Sequence, residues 1–208
     1  MRFMSQFRSG VRPLPLCYFG HPTLREKVTD IPQVTDEIRN FAERMLVTMD
    51  KEDGIGLAAP QVGRSINMVA FAIPQPEPGD ENELPSYGSP GEALLLPRMP
   101  LVLINLKLSA FSPDQAPYNE GCLSIPDLRA PVVRSLMVNL EAETLDGEKL
   151  NIPCGGLLAR CLMHEVDHLN GILFTDLISD EDKEKLQPEL NKMKRQTLAS
   201  LKKRNVRA

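Results

Sequence analysis

The chain has 208 residues, of which 42% are hydrophobic and 25% charged, and a formal net charge of -4. That length buries a sizeable core, so one domain over residues 1–208 is expected, with the composition of an ordinary globular protein. The mildly negative balance argues against DNA as a partner, and no apolar run reaches the ~18–20 residues needed to span a membrane.

The first stretch, MRFMSQFRSGVRPLPLCYFG, carries Arg2, Arg8 and Arg12 with no acid before Glu26. Transit peptides share that bias, but so does an irregular lead into a fold, and there is no apolar signal-peptide core. A cytosolic protein is expected, with an organellar one as the alternative. The four cysteines, Cys17, Cys122, Cys154 and Cys161, show no C-x-x-C spacing. Reduced thiols fit that pattern.

The periodicity of Ile38, Phe41, Ala42, Met45, Leu46 and Met49 predicts a helix. Thr35 is its expected N-cap, Asp36 and Glu37 fill its first turn, and Gly54 closes it. Residues 66–73, INMVAFAI, are β-like. Seven prolines between 74 and 100 then predict a long surface insertion without regular structure. LVLINLKL, 101–108, is again β-like. Residues 136–152 read as two strands joined at Asp146-Gly147, a hairpin signal. GGLLARCLMHEVDHLNG, 155–171, is a helix with Gly171 just past its end. The tail from Asp180 is helix-prone after Pro188. Between Lys183 and Ala208 it holds nine Lys or Arg and two Glu. That reads either as a solvated helix face or as a docking tail for an anionic partner. Strands followed by one late central helix predict an α+β fold.

Within that helix His164 and His168 are four apart, and Glu165 follows the first. Two histidines at this spacing share one helix face and can share a metal ion. Catalytic metals usually take three protein ligands and leave a position open. The zincin-type protease pattern asks for another His at 174, where Phe174 stands. Glu181, Glu184 and Glu189 lie further on, in a Lys-rich tail without a motif. The remaining histidine, His21, reads as a surface or capping residue. Upstream, EGCLS (120–124) offers Cys122, and GIGLAAPQ (54–61) is a small-residue stretch closing on Gln61. A thiolate with two imidazoles is an ordinary donor set for a divalent transition metal. Two other readings stay open: a metalloprotease with a ligand elsewhere, and a non-enzymatic protein with a structural metal.

GIGLAAPQ, EGCLS and HEVDHLNG, in this order, resemble the three signature motifs of peptide deformylases, and the resemblance runs from about Cys17 to about Ile178. It implies mixed or antiparallel strands around a central helix carrying HEVDH, with a C-terminal helix beyond. It implies a hydrolase that removes the formyl group from N-formylmethionine on new bacterial or organellar proteins. Fe(II) is the implied metal, with Zn, Ni or Co as substitutes. Cys122, His164 and His168 would hold it, and metal-bound hydroxide would attack the formyl carbon with Glu165 as general acid/base. Gln61 and the backbone N–H of Leu123 would face the reacting oxygen. Ile55 and Gly56 would line the peptide path, and Tyr118, Glu120, Leu157, Arg160 and Cys161 the methionine pocket. N-formylmethionyl nascent peptides are the implied partners. The ribosome is the anionic partner that a basic tail would suit. Arg160 departs from the family's usual apolar residue, which predicts a partly polar pocket wall. Met163 replaces a common Gln beside the first His.

Overall fold

Residues 68–73 and 101–104 are apolar without alternation, because both faces of their sheet are covered. The structure, a computed structural model, describes residues 10–76 and 87–205. Strands β1 (Gly56–Ala58), β2 (Met68–Phe71), β3 (Leu101–Ser109), β6 (Met137–Thr144) and β7 (Lys149–Gly155) form one sheet in that spatial order. Each neighbouring pair is antiparallel. Strands β4 (Gln115–Cys122) and β5 (Ile125–Ser135) form a separate antiparallel hairpin. Asp146-Gly147 turns β6 into β7, with the Gly147 N–H donating to Thr144 O at 3.0 Å.

Helix α1 (Asp36–Lys51) covers one face of the sheet. Its Phe41, Met45 and Met49 pack with Leu57, Met68, Ala70 and Ile104. Thr35 caps it, its hydroxyl accepting from the Ile38 N–H at 3.3 Å. Helix α3 (Gly156–Leu169), which carries HEVDH, covers the opposite face through Leu158 and Leu162 on Val69, Phe71, Leu103 and Leu140. Truncating a side chain such as Leu162 to Ala costs about 2–5 kcal/mol. The hairpin packs separately: Ile125 and Val132 meet Leu24, Phe174, Ile178 and Leu190. Antiparallel sheet, hairpin and motif helix make this the expected α+β fold.

Two local expectations change. The 74–100 stretch is not free of regular structure: helix α2 spans Pro90–Leu95 and a 3-10 turn follows at Leu96–Arg98. The Ser89 hydroxyl accepts from the Glu92 N–H at 3.3 Å and Pro90 opens the helix, where its missing N–H costs nothing. Leu95 and Leu96 are buried in the main core. Residues 77–86 of this stretch lie outside the described residues, as do 1–9 of the Arg-rich start and 206–208 of the tail. The C-terminal helix, α4, spans Asp180–Asn205 and runs through Pro188 instead of beginning after it. The Ser179 hydroxyl caps it from the Asp182 N–H at 3.1 Å. Leu186, Leu190 and Met193 pack on both sides of the proline, and that burial outweighs one lost backbone bond.

Candidate metal centre and cleft

His164 and His168 lie one turn apart on α3, with ring centroids 5.1 Å apart and planes at 77°. Cys122 ends β4, and its Sγ is 3.1 Å from His168 Nε2. The ligand atoms of Cys122, His164 and His168 all lie within 4.8 Å of one another, the one such group of three or more among the described residues. Phe174 is buried in the hairpin's core, and Glu181 and Glu189 pair with Lys185 and Lys192 on α4. The downstream ligand that the protease reading needs is not supplied by them.

A largely buried charge network holds His164. His164 Nδ1 lies 2.9 Å from Glu120 Oε2. Arg134 grips the same carboxylate through Nε at 2.6 Å and through an Nη at 2.8 Å, and reaches Asp167 at 2.7 Å. Arg160 donates to Glu120 at 3.0 Å and to the Val132 and Ala116 carbonyls at 3.0 and 2.7 Å. Burial alone would raise Glu120, but Arg134 and His164 bring it down to about 2. Burial opposes charge on His164, yet its bonds to Cys122 and Glu120 hold it well above the usual imidazole range. Burial, then the charge of His164, keeps His168 well below that range. A bound cation would take the place of the His164 proton.

Glu165 is buried beside the ligand group, and burial pushes its carboxyl up to about 7 against the opposing charge of His164. Its Oε2 has no hydrogen-bond partner. Gln61, almost fully buried, is pinned at both ends. Its Oε1 accepts from the Ala58 N–H at 2.7 Å, and its Nε2 donates to Cys122 Sγ at 3.4 Å and Ser124 Oγ at 3.3 Å. Leu123 follows Cys122 in the turn that joins the hairpin strands.

These groups border one cleft of about 560 Å³. Ile55, Gly56, Gln61, Tyr118, Glu120, Cys122, Leu123, Leu157, Arg160, Cys161, His164 and Glu165 all line it, with His168 buried behind. GIGLAAPQ is not a plain turn. It supplies β1, the terminal strand of the sheet, and then a 3-10 turn that presents Gln61. A Cβ on Gly56 would stand 2.9 Å from the Glu165 Cδ and 3.0 Å from Cys161 Sγ, so only glycine fits. Arg160 lines the cleft while its guanidinium is tied to the hairpin, 5.3 Å from the Tyr118 ring centroid. Met163 packs in the core. His21 is a capping residue, its Nδ1 accepting from the Thr23 N–H at 3.3 Å.

Sequence reading missed Arg134 and Ser124. Arg134 follows buried Ala130 and Val132 at strand spacing. A lone arginine on an apolar strand face was the available signal.

The donor set fits a divalent transition cation: one thiolate and two imidazoles, with His164 oriented by a carboxylate, as in metal-bound histidines generally. Three such donors, a buried carboxyl and an edge strand alongside define a metal-dependent hydrolase of peptides. The chain belongs to the polypeptide deformylase family, whose sequence profile matches residues 13–184. It is similar to a peptide deformylase of Acinetobacter baumannii, 37% identical over 88% of this chain and 93% of that one. A peptide deformylase 1B of Arabidopsis thaliana, described as chloroplastic/mitochondrial, is 34% identical over 88% of this chain and 60% of its own. A crystal structure of a single-residue variant of the Arabidopsis 1B protein has a TM-score of 0.74 at 32% identity, covering 90% and 94% of the two chains. An A. baumannii structure with Met-Ala-Ser bound has a TM-score of 0.67 at 32% identity, covering 81% and 99%. The chain is thus a metal-dependent hydrolase that removes the N-formyl group from newly made polypeptides.

Proposed function

We propose that Cys122, His164 and His168 hold the metal and that Glu165 carries the proton in deformylation. The carrying observation is the convergence of those three ligand atoms within 4.8 Å beside a buried, unpartnered carboxylate oxygen. When bound, a divalent cation acidifies water and polarises a carbonyl oxygen. Glu165 accepts the proton released on attack and delivers it to the departing methionine amine. Gln61, fixed by Ala58, and the Leu123 N–H are two donors for the formyl oxygen. Losing one such donor typically costs ~3 kcal/mol. The peptide backbone pairs along the outer edge of β1, past Ile55 and Gly56. Tyr118, Glu120, Leu157, Arg160 and Cys161 surround the methionine side chain.

The proposed resident metal is Fe(II), with Zn, Ni or Co as working substitutes; family resemblance and the thiolate–imidazole set support it. Metal content after anaerobic purification tests it. The whole chain is proposed to act as one catalytic domain in a bacterial cytoplasm, with an organelle as the alternative that the Arabidopsis relative illustrates. No helix among the described residues is long and apolar enough to cross a membrane. The exposed lysines and arginines of α4 suit the anionic ribosome, and such binding would be salt-sensitive. Unchanged low-salt co-sedimentation after deletion of residues 183–208 would remove that contact.

The test of the reaction is turnover of formyl-Met-Ala-Ser, acetyl-Met-Ala-Ser and casein. Only the formyl peptide should be cleaved efficiently. Comparable casein cleavage would favour the metalloprotease.

A further inference from the structure

The cleft does not end at the hairpin. A second groove of about 770 Å³ lies between α4, the hairpin and the segment around Leu16–His21. Leu16, Tyr18, Pro126, Asp127 and Leu128 line both the cleft and the groove, so the two adjoin across these residues. Three of these shared residues form a bulge. Cys122 pairs with Ile125 but Gly121 pairs with Arg129, which leaves Pro126–Leu128 outside the ladder. Asp127 takes a φ of 65°, a left-handed conformation costing a non-glycine residue of order 1 kcal/mol. Bulges of this kind bend a strand and re-aim its side chains. Here the bulge forms the saddle between the two depressions.

The far wall of the groove is one stripe of α4: Glu189, Lys192, Met193, Gln196, Thr197 and Ser200, ending at Leu201. These recur at three- and four-residue steps, so they share a helix face. At ~1.5 Å per residue the stripe runs ~18 Å. That length matches about five residues of extended chain at ~3.3 Å each. Leu16, Leu128, Met193 and Leu201 make the surface apolar, and hydroxyl and amide groups are interspersed. Lys192 is paired with Glu189 at 3.1 Å. Such a surface takes extended polypeptide with little demand on sequence.

We infer that this groove binds the part of the nascent chain that follows the residues held in the cleft. The inference rests on the assignment of the formylmethionine end to the metal end of the cleft. It makes α4 a working wall of the substrate path. The ribosome-attached side of the nascent chain then leaves the enzyme along the helix.

The experiment is a length series of formyl peptides, from formyl-Met-Ala-Ser to ten residues, with wild type, Thr197→Trp and Ser200→Trp. Both substituted positions line only the groove; Thr197 is half-buried and Ser200 exposed. Wild-type KM should fall about tenfold between three residues and about eight and then level off, at constant kcat; tenfold is ~1.4 kcal/mol of added contact. In the Trp variants the fall should shrink or vanish, with wild-type kcat/KM on formyl-Met-Ala-Ser. Anisotropy of a dye-labelled ten-residue peptide without the formyl group should follow the same order. No length effect, or one undiminished in both variants, overturns the inference. Absence of turnover on formyl-Met-Ala-Ser would instead overturn the assignment of the cleft itself.

Discussion

Glu120 Oε2 stands 2.9 Å from the Nδ1 of His164. A carboxylate there would hold the proton on Nδ1 and leave Nε2 free for a bound metal. The same carboxylate pairs with buried Arg134 and with half-buried Arg160, so its replacement has two expected effects. Glu120→Gln should weaken metal binding by about 10–100-fold. It should also lower the melting temperature, because removing one partner of a buried ion pair costs about 3–5 kcal/mol. Metal titration and thermal unfolding read the two effects separately. Wild-type metal affinity in the variant would mean that Glu120 does not orient the ligand.

Ligand and proton carrier should part cleanly on substitution. Cys122→Ala removes one of three donors and should strip or greatly weaken the metal. Glu165→Ala should keep the metal and lose ~100-fold or more in kcat, the usual scale for general acid/base catalysis. Metal stoichiometry and turnover, measured on both proteins, decide the matter. A Cys122→Ala protein with a full metal complement would put the third ligand elsewhere.

Gly56 can lie against Glu165 and Cys161 because it has no side chain. An added Cβ would press on the Glu165 carboxyl and Cys161 Sγ, both largely buried. Gly56→Ala should therefore leave the metal in place but reduce kcat by at least tenfold, on the scale of a misplaced general acid/base. Activity equal to wild type would show that the carboxyl can shift without cost.

The four thiols should differ sharply in reactivity. Cys17, Cys154 and Cys161 are buried, whereas Cys122 is partly open to the cleft. Burial, helped by Glu92, pushes the Cys154 thiol up to about 12, and burial followed by Glu165 holds Cys161 well above its ordinary value. After chelation, iodoacetamide should modify Cys122 first, and restoring the metal should protect it. Peptide mapping by mass spectrometry gives the order. Cys161 reacting as fast as Cys122 would contradict it.

Much of this site is legible in local sequence, and what is missing is missing for physical reasons. The histidine pair shows itself because helical periodicity fixes the geometry of i and i+4. Cys122 is separated from His168 by 46 positions, so spacing alone cannot join them, and the resemblance of EGCLS supplied the link. Arg134 stayed invisible because its region was not read as a strand, although Ala130, Val132 and Arg134 alternate as one buried face. Helix α2 was lost to a count of prolines. Proline breaks a helix interior but suits its first turn, and Pro90 follows the capping Ser89. Pro188 misled the other way, since Leu186 and Leu190 are anchored on either side of it.

The three side chains proposed to hold the metal come from two separately packed bodies, the hairpin with its own apolar cluster and the helix on the sheet. A cation shared between them would act as a removable cross-link, closing a loop of 46 positions between Cys122 and His168. Chelation should then loosen the tip of the hairpin, including the bulge at Pro126–Leu128, while the five-stranded sheet keeps its amide protection. Loading of the metal and firmness of the peptide path would be one equilibrium, visible by hydrogen exchange before any substrate is added.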